Sequence, residues 1–262
     1  MVYPVIILVA MGVATLTLFS GFGLGTVLMP VFAIFFPVHL AIAATAVVHL
    51  ANNIFKVLLV GKQADWAVVA RFGLPAALAA LTGAYLLTFI AQGEPLIIYS
   101  WAGRLCQVTP AKLVVAILLV IFALWEVIPS LAELAFPRRF IPLGGVLSGF
   151  FGGLTGNQGA LRAAFLIHSG LNKEAFVGTS AVSAMLVDVV RLAVYGASFL
   201  VGDYAALAAS GIGGPIMAGV LAAFVGSFFG ARLLKKVTLR AVQLLVSVML
   251  LSLALLLALG VI

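Results

Sequence analysis

Thr45, His49, Asn52, Asn53 and Lys56 follow one another at spacings of 4, 3, 1 and 3 inside an apolar run. In a helix turning about 100° per residue they fall within roughly a quarter to a third of the circumference. Such a stripe, with a cation at one end, has two readings. It can be interhelical hydrogen-bonding glue, with Lys56 snorkelling toward an interface, or it can line an aqueous cavity. Four neighbouring polar side chains exceed what glue needs, so we expect a cavity-lining face.

Arg162 is the most informative single charge. It stands three residues after Gly159, where a helix restarts behind the break Gly156-Asn157-Gln158-Gly159. The free N–H groups and dipole of a helix N-terminus favour anions, and a guanidinium adds forked donors that match an oxyanion. Asn157 and Gln158 bring amide donors to the same place, and the glycines let backbone N–H groups approach a ligand. The rival reading is an arginine that snorkels to an interface.

A third constellation, Thr179, Ser180, Ser183, Asp188 and Arg191, follows on the next apolar segment. Asp188 and Arg191 are three apart and can pair along one helix face. An ion pair inside a membrane is costly unless it is well satisfied or used, so it is a structural bridge, part of a transport path, or both. Asp188 is the first candidate for a proton-coupling carboxylate and Glu126 the second. His168 falls beside a turn and reads as interfacial. Walker loops, Gly-x-Ser-x-Gly elbows, His-Glu-x-x-His motifs and cysteine clusters are missing from the sequence, which speaks against an ATP-driven pump and an intramembrane hydrolase. We expect no catalytic residues, no cofactor and no metal.

The elements that must position these groups are membrane helices. Of the 262 residues 65% are hydrophobic and 8% charged, against about 25% charged in soluble domains. The long unbroken apolar runs do not alternate as barrel strands do. The net charge of +7 is scattered over short loops, a topology signal rather than a nucleic-acid surface. The lone Cys106 makes no internal disulfide. The N-terminus lacks a basic leader region and reads as part of the mature chain.

Two glycine-dense stretches interrupt the runs, Ser20 to Pro30 and Ser148 to Phe165. Exposed backbone is costly in lipid, so breaks at membrane depth are tolerated only against protein or a water-filled cavity. One break per half of the chain points to a transporter built from repeats. An offset of about 134 residues sets Gly25 on Gly159, Ala41 on Ala175 and Thr45 on Thr179. The expected fold is an all-α polytopic membrane protein of about eight membrane segments. Its repeats are residues 1–131 and 139–262, each a broken, re-entrant-like segment plus three spans. The polar stretch Gln92 to Pro110 is read as a connection. If both breaks are hairpins that return to the side they entered, Lys62, Arg138, Lys173 and Lys235 fall on the cytoplasmic side and both termini outside, by the positive-inside bias. Matching turns then land on opposite sides, so the repeats are inverted.

The motifs GFGLGTVLMPVF and TGNQGALRAAFLI, each followed by an Ala…Thr pattern on the next helix, resemble the TauE/SafE family of sulfite exporters. The resemblance runs from about Ser20 to Leu234. It is specific over Gly159 to Phe165 and Ala175 to Ser180, whereas Thr45-Ala46 stands where Thr-Ser is usual. It implies secondary transport of small sulfur-containing anions such as sulfite, thiosulfate or sulfonates across the cell membrane. On this reading the substrate site comprises Gly23, Gly25, His49, Asn52, Asn53, Lys56, Asn157, Gln158, Gly159, Arg162, Thr179, Ser180 and Arg191. A passive anion channel is the alternative. The expected partners are a small anionic substrate and the lipid bilayer, with no nucleic acid; a homodimer is compatible with the sequence.

Overall fold

The computed structural model describes residues 1–17, 24–101, 103–132, 134–200, 211–233 and 239–262. It is helical almost throughout, as the apolar runs require. In order come α1 (Val2–Thr17), α2 (Leu24–Ala33) and α3 (Val38–Val60), then a single turn α4 (Trp66–Val68) that runs through a π-helical turn into α5 (Leu74–Ala91). After a β-hairpin follow α6 (Pro110–Val127), the short α7 (Pro129–Ala132), α8 (Ile141–Thr155), α9 (Gly159–Leu166) and α10 (Lys173–Tyr195). The last described helices are α11 (Gly213–Leu233) and α12 (Leu239–Ala258). Five helical stretches, Val38–Gln63, Trp66–Ala91, Pro110–Val127, Lys173–Ser198 and Gly213–Gly230, are long and apolar enough to cross a bilayer.

Local chemistry sets the starts of these helices. The Asp65 carboxylate accepts from Val68 N at 3.0 Å, and Asn172 Oδ1 accepts from Ala175 N at 2.8 Å. Each satisfies a donor that the first turn leaves open. Thr109 does the same for α6, followed at once by Pro110, whose missing N–H costs nothing there.

Packing follows the logic of lipid rather than water. Helix α5 turns Leu74, Leu78, Leu81, Tyr85 and Phe89 outward and buries Ala76, Ala80, Gly83 and Ala84. Large residues meet the acyl chains while small ones let backbones approach. The partner face is the glycine ladder of α8. A Cβ at Gly145, Gly149 or Gly153 would sit 2.3, 1.9 and 2.3 Å from the carbonyl oxygens of Phe72, Ala76 and Ala80. The matched ascending numbers make α8 and α5 parallel. Helices α1 and α11 repeat the arrangement, with Gly226 against the Met11 carbonyl and Gly230 against that of Thr15. Gly149→Ala should therefore destabilise the protein by about 1–3 kcal/mol, as overpacking does; unfolding in mixed micelles measures it.

This corrects one expectation. The glycines of Ser148–Phe165 do not form a long break, because helix α8 continues to Thr155. The interruption is confined to Gly156, Asn157 and Gln158. The chain then returns to the end it entered. Phe136 N donates to Ala164 O at 3.0 Å, Phe136 stacks on Phe165, and Gly170 lies beside Arg138. Gln92 to Pro110 is also more ordered than a plain connection. Ile97–Trp101 pairs antiparallel with Arg104–Val108, and Gln107 N donates to Gly260 O at 3.1 Å, tying the hairpin to the C-terminal end of α12.

These contacts sort the polar ends. Gly178, near the start of α10, lies against the Val60 carbonyl, so the turns at Lys62 and Lys173 share an end with Arg138. The opposite end collects the hairpin, Gly260 and Tyr3, which touches Gly214. Lys235 and Asp203 lie outside the described residues.

Candidate functional site

Helices α3 and α10 run antiparallel through the centre, with His49 opposite Asp188 and Val60 opposite Gly178. The whole stripe of α3 is buried: Thr45, His49, Asn52, Asn53 and Lys56 are each 8% exposed or less. So are Ser180, Ser183, Asp188 and Arg191 on α10. The stripes therefore face protein, not lipid.

Asp188 is the node. Its Oδ2 accepts from His49 Nδ1 at 2.7 Å and from Asn53 Nδ2 at 2.8 Å. A carboxylate that close can only accept, so the His49 proton sits on Nδ1. Oδ1 accepts from Arg191 Nε at 3.0 Å and Nη2 at 2.7 Å. The expected Asp188–Arg191 pair is thus present, and His49, 139 residues away, completes it from the other half of the chain.

Arg191 also reaches the break. Its Nη1 donates to the carbonyl of Gly152 at 3.3 Å, in the last turn of α8. Tyr195, one turn further along α10, donates its hydroxyl to the Gly153 carbonyl. Ser148 Oγ donates to the Gln158 carbonyl at 3.0 Å. The Tyr195 bond satisfies a backbone oxygen that the end of α8 leaves open, while the carbonyls of Gly152 and Gln158 also accept from Gly156 N and Arg162 N. Tyr195 and Ser148 were not among the expected site residues. Their signal is spacing, since Tyr195 lies four residues after Arg191 and on its face.

Gly156 terminates α8 at φ +83°, and a Cβ there would stand 2.9 Å from Arg191 Nη1. Left-handed backbone costs an L-residue roughly 1–2 kcal/mol. Gly156→Ala should cost at least about that much stability, and Gly156→Asn less, because asparagine tolerates this region better. Unfolding midpoints of the two variants in detergent check the order.

Gly25, in the first turn of α2, meets the same centre. A Cβ on it would lie 3.4 Å from the Gly156 carbonyl and 3.5 Å from the His49 ring. The start of one half-helix thus touches the break before the other. Gly23 lies outside the described residues.

Behind the break, α9 starts at Gly159 and carries Arg162, 3% exposed, in its first turn. Arg162 is close enough to Asp188, His49 and Lys56 to feel their charges. Both side-chain atoms of Asn157 and the Nε2 of Gln158 are buried without a hydrogen-bond partner among the described residues. The hydroxyls of Thr45 and Ser180 are in the same state. The antiparallel register sets Lys56 at about the depth of Ser180. Buried polar groups are normally paired, so the amides of Asn157 and Gln158, without partners among the described residues, stand out beside the buried Arg162.

Other expected residues stand apart. Asn52 turns to α11, where its Oδ1 accepts from Ser227 Oγ at 2.6 Å. Thr179 Oγ1 accepts from Asp65 N at 2.9 Å and so holds the turn before α4. Glu126 is buried in the last turn of α6, a helix that packs chiefly along α12. His168 is exposed beside its turn. Among the described residues no group of three His, Cys, Asp or Glu side chains is placed to hold a metal ion. What the centre can do is hold an anion: it has buried cations, orphan amide donors and a helix N-terminus, with its one carboxylate already engaged.

No curated protein and no solved structure matches this chain. The family model described as sulfite exporter TauE/SafE matches residues 6–257. With that match over nearly its whole length, on a bundle of membrane-spanning helices, the chain belongs to the TauE/SafE family of sulfite exporters, a family of membrane transporters.

Proposed function

We propose that this protein is a secondary transporter of a small sulfur-containing oxyanion, sulfite, thiosulfate or an organosulfonate, across the plasma membrane. One observation carries the reading. Lys56 and Arg162 are both buried and near enough for their charges to act on one another, and Arg162 stands in the first turn of α9 behind amides of Asn157 and Gln158 that have no partner among the described residues. A membrane interior tolerates such charge only where it is used or balanced, and an oxyanion does both. Gly25, Gly159, Ser180, Asn53 and Arg191 complete the surroundings, with Arg191 and Asp188 as the frame. The His49–Asp188 contact, which joins the two halves, is the proposed seat of proton coupling, ahead of Glu126.

Two inverted repeats, residues 1–131 and 139–262, fit the packing. Exchanging α1 with α8, α3 with α10, α5 with α11 and α6 with α12 turns the α1–α11 pair into the α8–α5 pair. The same exchange maps the α3–α10 and α6–α12 pairs onto themselves. Rocking one repeat against the other about a central site is how such architectures alternate access.

The test is flux into liposomes of sulfite, sulfate, a sulfonate and chloride side by side. We expect sulfur-oxyanion flux to exceed chloride flux and to respond to an imposed proton gradient. Flux set by the anion's own gradient alone identifies a passive channel, and flux of chloride alone removes the sulfur assignment. For orientation, single cysteines introduced after Cys106→Ser should label from outside at position 94 and not at position 138.

A further inference from the structure

We infer that the lipid-facing side of the bundle holds a phospholipid, with one acyl chain in a groove between α6 and α12 and its phosphate at Lys112. The groove measures about 360 Å³. Ala116 and Ala254 are buried and form its floor, while Ile117 and Leu255 stand exposed on either side as walls. It runs from Leu113 and Ala258 at one end to Val120 and Leu251 at the other. Small side chains below and large ones beside make a slot rather than a ridge.

Its two ends differ in chemistry, and the difference selects the occupant. From Leu113 to Val120 α6 rises about 10 Å, against roughly 15 Å of hydrocarbon in one leaflet. The end at Val120 and Leu251 is apolar and lies midway along α6. The other end is polar. Lys112 Nζ donates to the Gln107 carbonyl at 2.7 Å, and Gln107 N donates to the Gly260 carbonyl at 3.1 Å. Gln107 thus bridges the start of α6 to the end of α12 and holds the ammonium at the mouth of the groove. An ammonium has three hydrogens, and among the described residues no carboxylate pairs with this one. Two donors remain for a phosphate, which lysine binds as a point charge. Tyr99, whose hydroxyl donates to the Leu259 carbonyl, and the exposed Trp101 belong to the same hairpin. Aromatic rings of this kind collect at the level of lipid headgroups. Apolar depth below, with a cation at headgroup level above, fits a phospholipid. A second copy of the chain fits less well. A two-fold dimer would set groove against groove, and two concave faces leave a void between them.

The test is lipid binding to the delipidated intact chain in detergent, read by native mass spectrometry. The probes are dioleoyl phosphatidylglycerol and dioleoylglycerol, which share their chains and differ in the phosphate headgroup. We expect one phosphatidylglycerol per chain, bound at least about tenfold tighter than dioleoylglycerol, the factor that a charge-assisted hydrogen bond supplies. Lys112→Gln should bring the two lipids to within about threefold of each other, and Lys112→Arg should keep the difference. Ala258 is exposed at the mouth. Ala258→Trp should therefore fill the slot without touching the core and weaken both lipids by about tenfold, as losing the burial of a few methylenes does. Equal affinities for wild type overturn the inference without need of any variant. A difference unchanged in Lys112→Gln, or undiminished binding in Ala258→Trp, also overturns it. Ile117→Cys, made after Cys106→Ser, should form no disulfide-linked dimers on oxidation in bilayers; such dimers would give the groove to a second copy instead.

Discussion

Replacing Asp188 by alanine is expected to destabilise the protein by about 3–5 kcal/mol, the cost of removing one partner of a buried ion pair. The carboxylate is fully buried and holds His49 and Asn53 of α3 together with Arg191 of its own helix. Its loss strands the Arg191 guanidinium, also fully buried, and unties α3 from α10. Asp188→Asn keeps the volume but leaves Arg191 without a counter-charge, so most of the penalty should remain. Removing both charges, as Asp188→Ala with Arg191→Met, should recover a large part of it, because the uncompensated cation goes as well. The double-mutant cycle gives the coupling energy directly. A single Asp188→Ala variant within about 1 kcal/mol of wild type would show that the two halves are joined by packing alone.

That network was only half legible in the sequence. Polar residues stand out in a chain this apolar, so the stripes of α3 and α10 and the Asp188–Arg191 spacing can be read directly. The third member cannot, because His49 and Asp188 are 139 residues apart and only the fold makes them neighbours. Glycine misled in a specific way. In water a glycine cluster weakens a helix, but in lipid the same residues let helices close to backbone contact. Gly145, Gly149 and Gly153 do the second, and Gly156 alone among the break's described glycines needs a left-handed backbone. The two adjacent asparagines read as one stripe, yet a step of about 100° separates them. Asn53 serves Asp188 while Asn52 serves Ser227. The hairpin at Ile97–Val108 was missed because it is short and its first strand is exposed almost throughout, so that only Cys106 and Val108 of the second strand turn inward.

Arg162→Lys should weaken oxyanion binding by about 10- to 100-fold while leaving the fold intact. The range corresponds to losing one charge-assisted hydrogen bond at roughly 1.5–3 kcal/mol. Lysine keeps the positive charge but loses the planar fork that an oxyanion's paired oxygens can share. The position magnifies the difference. Arg162 sits in the first turn of α9, where the free N–H groups of the helix also favour an anion. Asn157 and Gln158 hold their amides immediately before that turn, and Ser148 anchors the backbone there through the Gln158 carbonyl. A flexible ammonium cannot copy that orientation. It can only restore part of the attraction, so the affinity for every oxyanion should fall by a similar factor. Unchanged unfolding midpoints with lowered sulfite or thiosulfate affinity are the expected pair of results. Wild-type affinity in Arg162→Lys would place the anion away from α9, and a variant that unfolds would make Arg162 a structural cation that works through Asp188.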